Sequence, residues 1–144
     1  ADEEKLISDL QTRLSNYEML MEKIEIRKSA AELRALWVLG NEYLQIVAPW
    51  VVFKESPDKA AVQIRLSLNL IRIYAIISAP FIPDASNKIL ESLHTDDRSW
   101  PTNLRVSLST LNAGHIFTVP EVLFAKISDE SRKEWEKKFG GVID

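Results

Sequence analysis

The chain has 144 residues, of which 46% are hydrophobic, and its formal net charge is −3. This length and composition suit one compact domain with a hydrophobic core, so we expect a single domain over residues 1–144. The negative charge argues against broad, charge-driven binding of nucleic acid, which would then have to be contacted locally. The absence of cysteine excludes disulfides and Cys-based zinc sites.

No pattern in the sequence directs the chain to a membrane. The first five residues are mostly acidic and do not resemble the basic-then-apolar start of a signal peptide. No stretch approaches the roughly 18–20 uninterrupted apolar residues of a membrane span. We therefore expect a cytoplasmic protein without a membrane partner, and the missing initiator Met suggests a piece of a longer protein.

Apolar residues recur at helical spacing along most of the chain, and the predicted fold class is all-α. The spacing predicts a first helix over about residues 2–21 and a second over about residues 26–47. Pro49 ends the second helix because it has no amide hydrogen and disfavours helix at Ala48. Trp50 then lies at a forced turn, where its indole can either cap the core or contact a ligand.

A third helix is predicted over about residues 57–78, between two prolines. Ser56, a proline and an acid form a strong helix start, with the serine hydroxyl as the expected cap. Arg65, Asn69 and Arg72 are spaced by four and three and share one face of this helix. That face is either solvated or in contact with RNA phosphate or a neighbouring domain.

The remaining chain predicts shorter elements around the bundle. A double-proline corner at residues 79–83 precedes a helix over about 84–93, and a further short helix is expected within 104–111. Residues 116–127 are predicted to be extended and to fold back onto the bundle through their apolar side chains. Ser128 and Asp129 predict a final short helix over about 130–139.

Reactive groups for catalysis are few in this sequence. No glycine-rich phosphate loop is present, and the two histidines, His94 and His115, fall at a helix end and at a turn. Asp96 and Asp97 beside His94 could bind a metal, but neighbouring acids in a loop are more often solvated. The expectation is therefore no catalytic residue, no metal site and no cofactor in this chain.

Several motifs resemble the anticodon-binding domain of the methionyl-tRNA synthetases. Residues 41–44, Asn-Glu-Tyr-Leu, and 48–54, Ala-Pro-Trp-Val-Val-Phe-Lys, are similar to the family's Asn-x-Tyr-Leu helix end, Pro-Trp and nearby Lys. The similarity continues through Asn-Leu-Ile-Arg-Ile at 69–73, Ala-Pro-Phe-Ile-Pro at 79–83, and Gly-His at 114–115. It ends at residues 123–127, Leu-Phe-Ala-Lys-Ile, with Ala125 where the family usually has Pro.

The resemblance implies a function for the whole chain. In that family a helical domain reads the CAU anticodon of tRNA(Met), and the Trp of Pro-Trp stacks on an anticodon base, a role that falls on Trp50. Lys54 and the face formed by Arg65, Asn69 and Arg72 would give polar support. The Asn and Arg that help to choose the base lie on an earlier helix with no match in this sequence.

The implied parent is a methionine–tRNA ligase that uses ATP and Mg²⁺, with its catalytic domain as a further partner of this chain. Two alternatives remain open from the residues alone. The first is the equivalent domain of a valine, leucine or isoleucine synthetase, since these share the helical plan and a Trp after Pro or Lys. The second is a non-catalytic helical interaction module with Trp50 buried.

Overall fold

Three long helices form the centre of the structure, a computed structural model that describes residues 2–141. The helices are α1 (Asp2–Glu22), α2 (Ile26–Val47), α3 (Pro49–Val52), α4 (Pro57–Ser78), α5 (Pro83–Ser92), α6 (Leu104–Ser107) and α7 (Asp129–Phe139). No strand occurs among the described residues. The all-α prediction is confirmed, and the bounds of the three long helices agree with the sequence patterns.

The hydrophobic core lies between α1, α2 and α4. The three- and four-residue spacing of α1 places a continuous stripe toward the other two helices, and full burial of each large apolar side chain contributes about 1.5–3 kcal/mol. The core side chains are Leu6, Leu10, Leu14 and Tyr17 of α1, Leu33, Leu36, Tyr43 and Val47 of α2, and Leu70, Ile73 and Ile77 of α4, with Leu104 and Leu108 beyond them.

Trp100 anchors the loop between α5 and α6 to this core. Its ring stacks on Tyr17 with centroids 6.1 Å apart and planes inclined by 10°. The indole Nε1 donates to a Glu18 carboxylate oxygen at 2.7 Å, while the Tyr17 hydroxyl donates to the Ile77 carbonyl at 2.8 Å. Trp100 thus ties this polar loop to the core through stacking and one hydrogen bond.

Gly40 allows α2 and α4 to approach closely. A Cβ at this position would lie 2.6 Å from Cε2 and from the hydroxyl oxygen of Tyr74. The tyrosine ring is held in place because its hydroxyl donates to the Leu36 carbonyl at 2.5 Å. Burial raises the pKa of Tyr74 above its usual value, as expected for a phenol packed between two helices.

We expect Gly40→Ala to lower the free energy of unfolding by about 1–2 kcal/mol. Overpacking against Tyr74 should cost more than the roughly 1 kcal/mol that alanine adds to intrinsic helix stability. Denaturant unfolding measures the difference. Gly141→Ala is the matched control, because nothing lies within 4 Å of a Cβ placed there. A Gly40→Ala variant as stable as the unchanged protein would contradict the close approach.

Two helix starts differ in how their serines are used. Ser56 precedes α4 as predicted, but its side chain makes no capping hydrogen bond, so the expected hydroxyl cap is wrong. Pro57 at the first helical position has no amide hydrogen that needs a partner, and its fixed φ still favours the helix. By contrast, the Ser128 hydroxyl accepts from the Ser131 amide at 3.1 Å and caps α7 as predicted.

The extended segment after α6 turns back along α5 and half-buries Leu123, but it leaves most of its apolar side chains exposed. The Thr118 amide donates to the Ser92 carbonyl at 2.8 Å. The surface of α5 beside this segment includes Lys88 and Glu91, whose charged groups do not provide an apolar surface for packing. The expectation that these side chains pack onto the bundle is therefore wrong for Val119, Val122, Phe124 and Ile127, all at least 60% exposed.

α4 is the one described helix long and apolar enough to span a membrane, with a mean hydropathy of 1.4 over its most apolar window. Half of that window is buried inside the bundle. Its buried face also carries Asn69 and Arg72, which have partners within the protein. The apolar character of α4 is therefore explained by its central position in the core.

Candidate nucleic-acid interface

The chain changes direction at Ala48, between α2 and α3. This residue has φ 41° and ψ 62°, a left-handed conformation that is uncommon for a residue with a side chain. Pro49 disfavours right-handed helix at the residue before it, and the Ala48 amide still donates to the Leu44 carbonyl at 3.0 Å. The chain thus leaves the helix in a sharp corner before Pro49, at a backbone cost of about 1–2 kcal/mol for the left-handed residue.

A ladder of backbone hydrogen bonds then holds the corner rigid. The Ala48 carbonyl accepts from the amides of Val51 and Val52, at 2.8 and 3.2 Å. The Phe53 amide donates to the Pro49 carbonyl at 2.9 Å and continues the helical turn beyond α3. Pro49 is buried and Val52 is half-buried, so this side of the turn packs against the bundle.

Trp50 points away from the core. Its side chain is 52% exposed, which contradicts the alternative in which it is buried at the corner. The indole amines of Trp37 and Trp100 donate to Ser78 and to Glu18, whereas that of Trp50 has no partner among residues 2–141. An exposed aromatic face with an available donor at its edge is suited to stack on a base.

The surface around Trp50 is of mixed charge. Lys54 is exposed on the same turn, and Glu55 and Asp58 follow it, also exposed. Such a surface does not concentrate positive charge for a phosphate backbone. It favours a contact that depends on stacking, with Lys54 as the nearby cation that the sequence predicted.

Two of the three residues of the predicted polar face of α4 are buried. Asn69 is 0% exposed and Arg72 is 2% exposed, while Arg65 is exposed beside a cleft between α4 and residues 111–117. All three interpretations of the face, solvated, in contact with RNA phosphate or in contact with a neighbouring domain, are therefore wrong for Asn69 and Arg72. The reason is that this side of α4 faces the loops that contain Asp97 and Leu111, whereas the exposed positions of α4 include Ile64 and Ile71.

Asn69 joins α4 to the loop after α6. Its Nδ2 donates to the Leu111 carbonyl at 3.0 Å, and its Oδ1 accepts from the Leu111 amide at 2.7 Å. A buried backbone amide and carbonyl are both satisfied by one side chain, which is the arrangement that a buried loop requires. Asn69 therefore has a structural role.

Arg72 joins α4 to the loop before α6. Its Nη2 lies 2.9 Å from Oδ2 of Asp97 and donates to the Asp97 carbonyl at 3.2 Å. Hydrogen bonds from Ser99, with a smaller contribution from the Arg72 charge, lower the pKa of Asp97 below its usual value. The carboxylate that the sequence offered as a possible metal ligand beside His94 is thus occupied within the protein.

The described residues do not fit ATP or Mg²⁺, which the resemblance implies for the parent. No three histidine or acidic side chains between residues 2 and 141 converge closely enough to hold a metal ion. The backbone around the four glycines forms no phosphate loop, and Gly40 lies inside a helix. No step that involves these groups is therefore assigned to this chain.

We expect Asp97→Asn to destabilise the fold at pH 7, with an effect that shrinks as the pH falls below about 3.9. Because the folded-state pKa of Asp97 is lowered, its contribution is present above the unfolded value of about 3.9 and is lost as the pH falls through the folded value. Denaturant unfolding over a series of acidic pH values and at pH 7 measures this. Asp96→Asn, at the neighbouring exposed position, is the control, and an equal effect of both substitutions at pH 7 would contradict the Arg72 clamp.

Comparison with known proteins gives consistent matches along the whole chain. The family model described as the anticodon binding domain of methionyl tRNA ligase matches residues 1–144. A methionine–tRNA ligase of Paracoccus denitrificans (strain Pd 1222) is 62% identical over 141 residues, which cover 98% of this chain and 25% of that relative.

Two further methionine–tRNA ligases match this chain with similar identity and coverage. That of Ruegeria sp. (strain TM1040) is 61% identical over 96% of this chain, and that of Dinoroseobacter shibae (strain DSM 16493 / NCIMB 14021 / DFL 12) is 56% identical over 99%. These alignments cover 24% and 25% of the two relatives. The chain therefore spans about a quarter of the length of the curated relatives that it matches.

Proposed function

The chain belongs to the family of anticodon-binding domains of methionyl tRNA ligase, and from this premise we propose that it binds the anticodon stem-loop of tRNA(Met). Its parent would ligate methionine to that tRNA in the cytoplasm, with ATP and Mg²⁺ used by a separate catalytic domain. This chain supplies RNA contact and no reacting group. The observation that carries the proposal is the exposed Trp50 at a rigid corner.

Trp50 would stack on one base of the anticodon. Stacking of a base on an aromatic side chain is worth about 1–3 kcal/mol and does not require a basic surface, which suits a chain of net charge −3. The left-handed backbone at Ala48 and the hydrogen bonds of the turn hold the backbone at Trp50 in place before RNA arrives. Binding therefore loses little backbone conformational entropy at this position.

Fewer side chains can form polar contacts beside the stacked base than the sequence predicted. Lys54 and Arg65 are exposed and can reach phosphate or a base edge, whereas Asn69 and Arg72 are excluded by burial. Stacking alone does not choose cytosine, since every base has a π-face. Base choice would therefore require hydrogen-bonding groups elsewhere in the parent, as the resemblance implies.

The end of the described chain offers a surface for the parent's catalytic domain. Val119, Val122 and Phe124 are 85%, 87% and 63% exposed, and α7 adds Trp135 and Phe139 at 48% and 72%. Exposed apolar side chains concentrated in one part of a chain favour contact with a protein partner. We assign this surface, separate in sequence from the corner at Trp50, to contact between the two domains.

In the full-length ligase, we expect Trp50→Ala to lower kcat/KM for aminoacylation of tRNA(Met) by about 10- to 100-fold, as loss of one stacking contact would. Methionine-dependent pyrophosphate exchange should be unchanged, because it does not require the anticodon. Trp50→Phe should lose less, since a ring remains. Val51→Ala, an equally exposed position on the same turn, is the matched control.

Two outcomes would contradict the proposal. Equal loss of both activities in Trp50→Ala would show that the residue supports folding of the parent and not RNA contact. Unchanged aminoacylation would show that the anticodon is bound elsewhere.

A further inference from the structure

The helical turn after Ala48 presents three stripes of side chains, because residues three apart lie on the same side of a helix. Pro49 and Val52 form the inward stripe and are buried and half-buried. Trp50 and Phe53 form the next stripe. The amide of Phe53 donates to the Pro49 carbonyl, and its φ of −55° and ψ of −33° are helical, so the spacing holds through residue 53.

Phe53 is even more exposed than Trp50, at 59% against 52%. Among the described residues, the one stacked pair of rings is Tyr17 with Trp100, so Phe53 and Trp50 do not stack on each other. A phenylalanine has no polar atom to hydrate, and its exposure on a hydrogen-bonded turn places a flat apolar ring in solvent. The Phe53 side chain belongs to neither of the hydrophobic core clusters found within residues 2–141.

The exposed rings of the stripe formed by Trp50 and Phe53, and the charges beside them, favour a nucleobase as its ligand. The ring of Phe53 is continuous with the surface proposed for Trp50, one helical turn along, where Cβ atoms lie about 5–6 Å apart. The flanking charges, from Lys54 and Glu55, are of opposite sign and set up no field that selects an acidic or basic protein. Successive unstacked bases of an RNA loop are commonly taken up by adjacent aromatic rings.

We infer that Phe53 is a second stacking platform, which takes the base next to the one that stacks on Trp50. This inference rests on the proposed function, since it places Phe53 in the same anticodon loop. It goes beyond the family resemblance, which assigns a role to Trp50 and to a nearby lysine and none to Phe53. The two rings together would hold two neighbouring bases apart from their own stack and so fix the loop in an open conformation.

The test uses the full-length ligase and an anticodon stem-loop in which 2-aminopurine replaces one loop base at a time. The emission of 2-aminopurine changes when the base stacks, so each variant reports which base has lost its ring. Phe53→Ala should weaken binding about tenfold and should alter the signal at a position next to the one altered by Trp50→Ala. Val51→Ala, on the third stripe, should alter neither.

Two conservative variants separate stacking from simple apolar contact. Phe53→Trp should bind as tightly as the unchanged ligase, because a flat ring is retained. Phe53→Leu, which keeps the apolar volume and removes the ring, should bind as weakly as Phe53→Ala. Pyrophosphate exchange should be equal in all variants, which confirms that the catalytic domain is folded and that Phe53 is not covered by it.

The possible results test the second stacking platform and the proposed function separately. Normal binding by Phe53→Ala together with weak binding by Trp50→Ala would overturn the second platform and leave the proposed function intact. Normal binding by both variants would overturn both. Normal binding by Phe53→Leu would show an apolar contact in place of stacking, and a loss of pyrophosphate exchange in Phe53→Ala would show an interdomain contact; either result also overturns the inference.

Discussion

The position of Trp50 depends on the conflict between Pro49 and the helix before it. Proline disfavours right-handed helix at Ala48, and Ala48 takes the left-handed conformation that turns the chain within one residue. The amides of Val51, Val52 and Phe53 donate to backbone carbonyls within the turn, and its inner stripe packs on the bundle. A strained residue beside an exposed aromatic is the pattern expected where the scaffold orients a binding group. The corner thus links a local backbone constraint to the proposed RNA contact.

The long helices and the corner could be predicted from the sequence because their signals are local. Apolar spacing sets α1, α2 and α4, and Pro49 acts on the residue next to it. The burial of Asn69 and Arg72 could not be predicted in this way, since their partners at residues 111 and 97 are distant in sequence. The high mean hydropathy of α4 was the one available signal, because a helix apolar on two faces is usually enclosed on the third.

The burial of Asn69 and Arg72 also reduces the set of side chains that can contact RNA. Each ties a loop to α4: Asn69 holds the loop after α6, and Arg72 holds the loop before it. Loops with few apolar side chains need such hydrogen bonds to stay ordered. With these residues assigned to the scaffold, the exposed groups near the corner are mainly aromatic and apolar, and RNA affinity would come from stacking more than from charge. Weak dependence of that affinity on salt is the physical consequence.

The most direct measurement of the central claim is ¹⁹F NMR of the full-length ligase labelled with 5-fluorotryptophan, with the Trp50 resonance assigned from Trp50→Phe. Addition of an anticodon stem-loop of tRNA(Met) should shift the Trp50 resonance through the ring current of the stacked base. The resonances of Trp37 and Trp100, whose amines are engaged within the bundle, should stay in place. An unshifted Trp50 resonance at saturating RNA would contradict the account.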